Sequence, residues 1–248
     1  MSLAGHTALI TGGGSGLGAD MAQHFAAAGA TVWIAGRKEA ELAEVAATST
    51  AIRYVLCDVT QEGAVLEMYQ QTGAVDIVIA NAGMADSALL LKTSLAQWQR
   101  LIDVNLTGTF LTLREGLRQI PDQSWGRLIS VASTAGLKGY PYVTAYTASK
   151  HGVVGLTRAL ALETAKTGVT VNALCPGFLD TAMTQRSVDT IKQHTGLTTE
   201  QAVQKLAAHN PQARLVEPAE VSSLALWLCS DAARSVNGQA LAVAGGEV

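Results

Sequence analysis

Tyr146 and Lys150 stand four residues apart in Tyr-Thr-Ala-Ser-Lys, at the head of a helix-like run, and Ser133 precedes the tyrosine by thirteen residues. Four residues is about one helical turn, so in a helix the phenol and the ammonium share a face. A free phenol titrates near pH ~10 and is a poor acid or base at neutrality. A neighbouring ammonium favours the phenolate and draws that value towards the useful range. Ser133 lies in a separate strand-to-loop segment, from which its hydroxyl can reach the same substrate oxygen. Tyr140 and Tyr142 have no lysine one turn later and read as pocket-wall residues. Together, acid, cation and hydroxyl suit redox chemistry at a carbonyl.

Such chemistry needs a hydride carrier, and a glycine loop offers a place for one. Thr11-Gly12-Gly13-Gly14-Ser15-Gly16-Leu17-Gly18 falls between an apolar run and an amphipathic one. Glycines there permit a tight turn and let the backbone approach a pyrophosphate, whose charge the helix N-terminus meets. The Gly12, Gly16, Gly18 spacing differs from the common G-x-G-x-x-G, and a turn without a ligand is the plainer alternative. An acidic residue at the end of the second strand would bind the adenosine ribose and repel a 2′-phosphate. The sequence there is Ala35-Gly36-Arg37-Lys38, with no acid until Glu39. Arg37 can grip a phosphate bidentately, so NADP(H) is expected over NAD(H), which stays possible. Both cations as solvated helix-opening residues is the alternative.

The elements that must position these groups alternate along the chain. Strands are expected over 7–11, 31–35, 53–56, 76–80, 127–132, 170–174 and 241–244. Helices are expected over 18–28, 39–47, 95–118, 146–166 and 218–229. Alternation of this kind signals right-handed βαβ units around a parallel sheet. The expectation is therefore an α/β fold: a single-domain, Rossmann-like, doubly wound parallel sheet with helices on both faces, spanning residues 1–248. Only the segment 180–214, long, polar and helical in character, breaks the alternation, and it reads as a substrate lid.

Bulk properties narrow the classes further. The 248 residues are 48% hydrophobic and only 15% charged, against about 25% charged in an average globular protein. Surface so sparse in charge suggests burial between subunits. A net charge of −3 gives no electrostatic case for nucleic acid or an anionic membrane. Cys57, Cys175 and Cys229 are scattered without CxxC spacing, which argues against disulfides and structural zinc and for a reducing cytosol. No metal site is expected. Neither a leader-like N-terminus nor a run approaching ~18 apolar residues is seen, so the expectation is a soluble, cytoplasmic protein.

The motifs resemble those of the short-chain dehydrogenases/reductases, of the compact single-domain type, over essentially the whole chain. Thr11–Gly18 is similar to that family's TGxxxGxG loop, and Asp58 in Cys57-Asp58-Val59-Thr60 to its adenine-binding aspartate. Asn81-Ala82-Gly83 resembles the NAG motif, and Asn105 in Asp103-Val104-Asn105-Leu106 the helix asparagine of the catalytic tetrad. Ser133 has the spacing of the family's serine, and Pro176-Gly177 with Thr181 resembles the PG-x-x-x-T stretch that holds the nicotinamide carboxamide. The resemblance implies a tetrad of Asn105, Ser133, Tyr146 and Lys150, with Tyr146 as proton donor and acceptor. It implies that Lys150 lowers the tyrosine pKa and binds the nicotinamide ribose, and that Asn105 holds a water linking Lys150 to solvent. On chemistry alone, Asn105 reads equally as a mid-helix asparagine bonding its own backbone. Gly12, Ser15, Gly16, Leu17, Gly18, Arg37, Asp58, Val59, Asn81, Ala82, Gly83, Pro176, Gly177 and Thr181 are the implied further cofactor contacts.

The substrate is less legible. The chain looks most like the 3-oxoacyl-thioester reductase and hydroxyacyl dehydrogenase branch, with oxidoreduction of small or cyclic alcohols and ketones as the alternative. Arg186, Lys192, Lys205 and Arg214, with His194 and His209, read as a basic rim for a thioester's phosphates or as an ordinary solvated face. A non-catalytic nucleotide-binding sensor, or an epimerase or dehydratase with tightly held NAD, is a remoter reading. Apolar surplus over 95–118 and 152–165 points to subunit contacts, and relatives of this appearance imply a homotetramer.

Overall fold

The computed structural model describes residues 2–120 and 124–248. Seven strands form one sheet: β1 (Thr7–Thr11), β2 (Thr31–Gly36), β3 (Ile52–Leu56), β4 (Ile77–Ala80), β5 (Gly126–Val131), β6 (Val169–Pro176) and β7 (Ala240–Val243). Their order is β3-β2-β1-β4-β5-β6-β7 and every pairing is parallel. The chain winds outward from β1 to β3, then returns to β4 beside β1 and winds the other way. Loops leaving β1 and β4 therefore diverge, opening a crevice at the carboxyl ends of the strands, the usual place for a ligand in such sheets.

Every residue of β4, β5 and β6 is buried, as expected of parallel strands covered on both faces. Alternate residues serve opposite layers. Ile10, Ile34, Ile77, Ile79 and Leu174 pack with Met21 and Phe25 of α1 (Gly16–Ala27) and Val221 and Ala225 of α9 (Pro218–Leu228). Leu9, Val55, Val78, Leu128 and Val171 pack with residues of α3 (Glu62–Thr72) and α5 (Gly108–Gln119). Between β2 and β3 lies α2 (Glu39–Ala46), and α6 (Thr144–Glu163) leads from β5 to β6.

The helices depart from expectation in several places, among them α6, which begins at Thr144 and ends at Glu163 rather than spanning 146–166. The first helix begins at Gly16 rather than residue 18. An unanticipated α3 places Val65, Met68 and Tyr69 on the core, a helical spacing but only half a stripe. The single helix expected over 95–118 is α4 (Leu95–Ile102), a π-helical turn Asp103–Thr107 and then α5. The segment 180–214 is helical in character, as expected, and holds two helices, α7 (Ala182–Thr195) and α8 (Thr199–Ala207). Gly196 in the left-handed conformation ends α7, and a Thr198–Gln201 capping box starts α8. Among the described residues no helix is long and apolar enough to cross a membrane.

Candidate active site

Ser133 follows the end of β5 and caps the short turn Thr134–Gly136, its Oγ accepting from the Ala135 amide at 3.1 Å. Tyr146 and Lys150 come from the first half of α6, as their spacing requires. A hydrogen bond joins Ser133 to the phenol. Lys150 is buried, with its Nζ 5.7 Å from the Tyr146 ring centre, and donates to the Val131 carbonyl at 2.8 Å.

The electrostatics differ from the sequence expectation. Burial holds the Tyr146 phenol above its ordinary pKa, and only the Ser133 bond works in the lowering direction. Burial also lowers the Lys150 pKa from 10.5 to about 8, which weakens it as a permanent cation. The spacing brings lysine and tyrosine together, but burial and not the lysine sets the direction of the Tyr146 shift.

Asn105 sits fully buried in the π-helical turn, a kind of irregularity that often marks functional sites. Its side chain does not bond its own backbone. Oδ1 accepts from Met84 N at 2.8 Å, while Nδ2 donates to Met84 O at 2.9 Å and to Ser149 Oγ at 3.1 Å. Asn105 thus ties the loop after β4 to the residue preceding Lys150. Gly83 is sandwiched there, since a Cβ on it would stand 3.3 Å from Asn105 Oδ1 and 3.6 Å from Lys150 Nζ.

On the other side of the crevice, Asn81 braces the glycine loop. Its Nδ2 donates to the Thr11 and Gly12 carbonyls, and Thr11 Oγ1 accepts from the Asn81 and Ala82 amides. Gly12 has φ +66°, and a Cβ on Gly18 would stand 2.2 Å from the Gly12 carbonyl oxygen, so the loop closes this tightly only with glycine at both positions. Ser15 is the N-cap of α1 but makes no side-chain cap bond, and the first turn has no acidic residue. These features leave first-turn N–H groups for an anion, so the residues present fit a dinucleotide's pyrophosphate. Leu17 is buried beneath the loop, and the Thr181 side chain reaches over Gly16 from beyond β6, whose last residue is Pro176. Gly177 N donates to Val243 O at 3.1 Å.

Beyond β2, Arg37 and Asp58 line a cleft of roughly 350 Å³ with Thr60, Gln99, Arg100 and Asp103. Lys38 is paired with Glu41 at 2.6 Å, leaving the exposed Arg37 as the cation facing this cleft from β2. Asp58 Oδ1 accepts from Thr60 N and Oγ1 at 3.0 and 2.8 Å, which fixes the carboxylate's direction. Val59 turns its side chain into the core against Gly108. A family model described as short chain dehydrogenase matches residues 6–192. The chain belongs to the short-chain dehydrogenase family.

Similar proteins agree. D-beta-hydroxybutyrate dehydrogenase of Cupriavidus necator is 40% identical over 99% of both chains. The 3-oxoacyl-acyl-carrier-protein reductase FabG of Aquifex aeolicus is 34% identical, covering 99% of this chain and 98% of that one. A crystal structure of a variant actinorhodin polyketide ketoreductase with NADPH superposes with TM-score 0.92 at 33% identity, covering 98% and 97%. This short-chain dehydrogenase is an NAD(P)-dependent oxidoreductase of the secondary alcohol and ketone type.

The outer end of the site holds one residue that sequence reasoning passed over, Glu247, beside Tyr140 and His209, which it named. Glu247, next to last in the chain, has a buried side chain that receives the Tyr140 hydroxyl and lies 3.2 Å from Lys138 Nζ. Tyr140 also bonds Thr134 Oγ1 at 2.7 Å. His209 packs edge-on to Tyr140 and tilted against Phe178. The only sequence signal was Gly245-Gly246, which turns the chain back at φ +61° and +94°. The basic rim is thinner than expected. Arg214 is held bidentately by Glu220 at 2.6 and 2.8 Å, and His194 bonds the Thr190 carbonyl.

Proposed function

We propose that this short-chain dehydrogenase interconverts a ketone and a secondary alcohol with Tyr146 as the general acid and base. The observation that carries this reading is the convergence of Ser133, Tyr146 and Lys150 at the carboxyl ends of β5 and β6. When bound, the nicotinamide supplies the hydride in reduction and accepts it in oxidation. Ser133 donates to the substrate oxygen and fixes its direction. As negative charge develops on that oxygen, the phenol of Tyr146 gives it a proton, and the raised pKa keeps that proton in place at neutral pH. Lys150 supports the transfer with whatever charge it holds below about pH 8, and binds the nicotinamide ribose. Asn105 positions both through Met84 and Ser149.

Gly12, Ser15, Gly16, Leu17 and Gly18 cradle the pyrophosphate, and Asp58 and Val59 meet the adenine. Asn81, Ala82 and Gly83 flank the ribose, and Pro176, Gly177 and Thr181 hold the carboxamide. Arg37 selects NADP(H), with NAD(H) the alternative, because no carboxylate of its own occupies the end of β2. The residues 180–214 act as the substrate lid of a single domain spanning 1–248. Exposed Phe110 and Leu162 on α5 and α6, with β7 at the sheet edge, support assembly as a homotetramer. Three free, buried cysteines support a cytoplasmic setting.

Two substrate classes follow. A 3-oxoacyl thioester is suggested by the relatives, one of which is named for that reaction. A small or cyclic ketone is favoured by the geometry, since Arg214 is committed to Glu220 and is not free to meet a thioester's phosphates. Initial rates with NADPH and NADH against an acetoacetyl thioester and a panel of simple ketones test both. Thioester turnover alone overturns the small-ketone reading, and the reverse result overturns the thioester one.

A further inference from the structure

Three parts of the chain converge on Glu247. From the segment that follows β5 come Lys138 and Tyr140. Lys138 Nζ donates to the Glu247 carbonyl at 3.0 Å and lies 3.2 Å from Oε1, and the Tyr140 hydroxyl donates to the same Oε1. From the far end of the 180–214 segment comes His209, its Nδ1 3.9 Å from Oε1. The third part is the loop after β6, where a Cβ on Gly177 would stand 3.2 Å from Oε2. Oε2 is closed off there, so among the described residues every bond of this carboxylate is made through Oε1. The backbone around Glu247 is itself anchored. Gly245 packs so closely on Asn210 that a Cβ would stand 1.9 Å from its Oδ1, and the Glu247 amide donates to the Ala244 carbonyl at 3.2 Å.

Tyr140 passes this anchorage on towards the reacting groups. A carboxylate only accepts, so Tyr140 donates to Glu247 and accepts from Thr134 Oγ1 at 2.7 Å. Burial, and then the bond to Glu247, push the Tyr140 phenol above its ordinary range, so it stays a donor at working pH. Thr134 opens the turn that Ser133 caps, and its carbonyl accepts from the Leu137 and Lys138 amides at 2.9 and 3.0 Å. These bonds close the turn on itself, while Lys138 and Tyr140 fasten it to Glu247. At the head of that turn the Ser133 hydroxyl bonds the Tyr146 phenol. A buried carboxylate that uses only one of its oxygens is a poor source of stability, so a positioning role accounts for it better.

Resting on the catalytic reading above, we propose that Glu247 is a positioning residue for Ser133: by gripping Lys138 and Tyr140, it holds the turn after β5 where the Ser133 hydroxyl meets the Tyr146 phenol. In this role Glu247 touches neither substrate nor cofactor. Its grip and its charge act on the phenol in opposite directions. Lys150 on the same helix, Cys175 on β6 and Tyr140 are the titratable groups facing that phenol. Removing a negative charge lowers a phenol's pKa. Loosening Ser133 takes away the bond that lowers the Tyr146 pKa, and so raises it. The direction in which a pH limb moves therefore tells grip from charge.

The test is a double-mutant cycle of Glu247→Ala with Ser133→Ala, read on the fastest ketone of the panel above and on its alcohol, after thermal melts establish folding. In the wild-type background, Glu247→Ala is expected to lower kcat by about tenfold or more, as a misplacement near 1 Å can. It should also move the alkaline limb of oxidation to higher pH. In the Ser133→Ala background the same substitution should cost less than about twofold and leave the limb in place, since the group it positions has gone. Glu247→Gln, which keeps an acceptor for Tyr140, should restore most of the lost rate. Wild-type kcat in Glu247→Ala, a limb moved to lower pH, or a loss undiminished without the Ser133 hydroxyl overturns the proposal and leaves the catalytic reading intact. Should Glu247→Ala fail to fold, Tyr140→Phe, which removes one hydroxyl, takes its place in the cycle. Coupling to Ser133→Ala then supports the proposal and additivity overturns it. Full turnover by Ser133→Ala overturns the catalytic reading and this inference with it.

Discussion

The Lys150 ammonium lies 5.7 Å from the centre of the Tyr146 ring, but its hydrogen bond goes to the Val131 carbonyl, 2.8 Å away. Its folded pKa of about 8 lies below the free side chain's 10.5. Between those values the unfolded chain binds the extra proton, so stability rises with pH across that window. Below pH 8 the penalty applies in full, about 3 kcal/mol for a shift of this size. Lys150→Met lacks it. The stability difference between variant and wild type should therefore move by about 3 kcal/mol in favour of wild type from pH 7 to 10.5. Denaturant melts at the two pH values measure this, and the variant should be inactive at both. A difference independent of pH would show that Lys150 is not desolvated.

Tyr146 predicts opposite pH profiles for the two directions. Reduction needs the protonated phenol and oxidation the phenolate. With its pKa held above the ordinary 10.0, reduction should be flat through neutrality and fall only in strong alkali, while oxidation climbs with pH. Ser133→Ala removes the one bond that lowers this pKa, so both limbs should move to higher pH. Tyr146→Phe should cost about 10²–10⁴ in kcat. A break near pH 8 that is unmoved by Ser133→Ala would assign the profile to Lys150.

How much of this was legible in the sequence depends on distance along the chain. The buried strands were readable because runs such as Ile77–Ala80 are apolar on both faces. The Tyr146–Lys150 turn was readable because it is local. Asn105 was readable as a motif, but its partners Met84 and Ser149 lie 21 and 44 residues away, and no local pattern encodes them. The π-helical turn was missed because Asp-Val-Asn-Leu-Thr carries no breaker. The direction of the Tyr146 shift was misjudged because spacing reports proximity and not burial. Glu247 was invisible because its neighbours Lys138 and Tyr140 are 109 and 107 residues distant.

Arg37 makes the cofactor preference testable. It is exposed beside a cleft shared with Asp58, whereas Lys38 is engaged by Glu41. If Arg37 holds the 2′-phosphate as proposed, Arg37→Asp removes a charge-assisted bond of about 1.5–3 kcal/mol and adds repulsion. The NADPH to NADH ratio of kcat/KM should fall by about ten- to a hundredfold. A ratio that scarcely moves would show that Arg37 does not read the 2′-phosphate.

The assembly can be weighed directly. Leu162 on α6 is 80% exposed, an apolar side chain left uncovered by the described residues. In a homotetramer built on this helix it is buried against a neighbour. Light scattering at micromolar concentration should give four times the chain mass, and Leu162→Asp should shift it to smaller species. A monomer mass for wild type would refute the assembly.

Gly18 separates packing from cofactor binding. A Cβ there would stand 2.2 Å from the Gly12 carbonyl oxygen and 2.6 Å from Asn81 Nδ2, closer than side-chain adjustment can relieve. Gly18→Ala must push the glycine loop off the loop after β4, at a cost of about 1–3 kcal/mol. The same displacement moves the first-turn amides of α1, so the dissociation constant for NADPH should rise while the tetrad stays in place. Gly63 supplies the contrast. It lies in the first turn of α3 with nothing within 4 Å of a Cβ. Gly63→Ala should stabilise by up to about 1 kcal/mol and leave cofactor affinity alone. Thermal melts and fluorescence titration with NADPH on both variants distinguish the two. Equal, small effects would show that the contact between the loops after β1 and β4 does not shape the cofactor site.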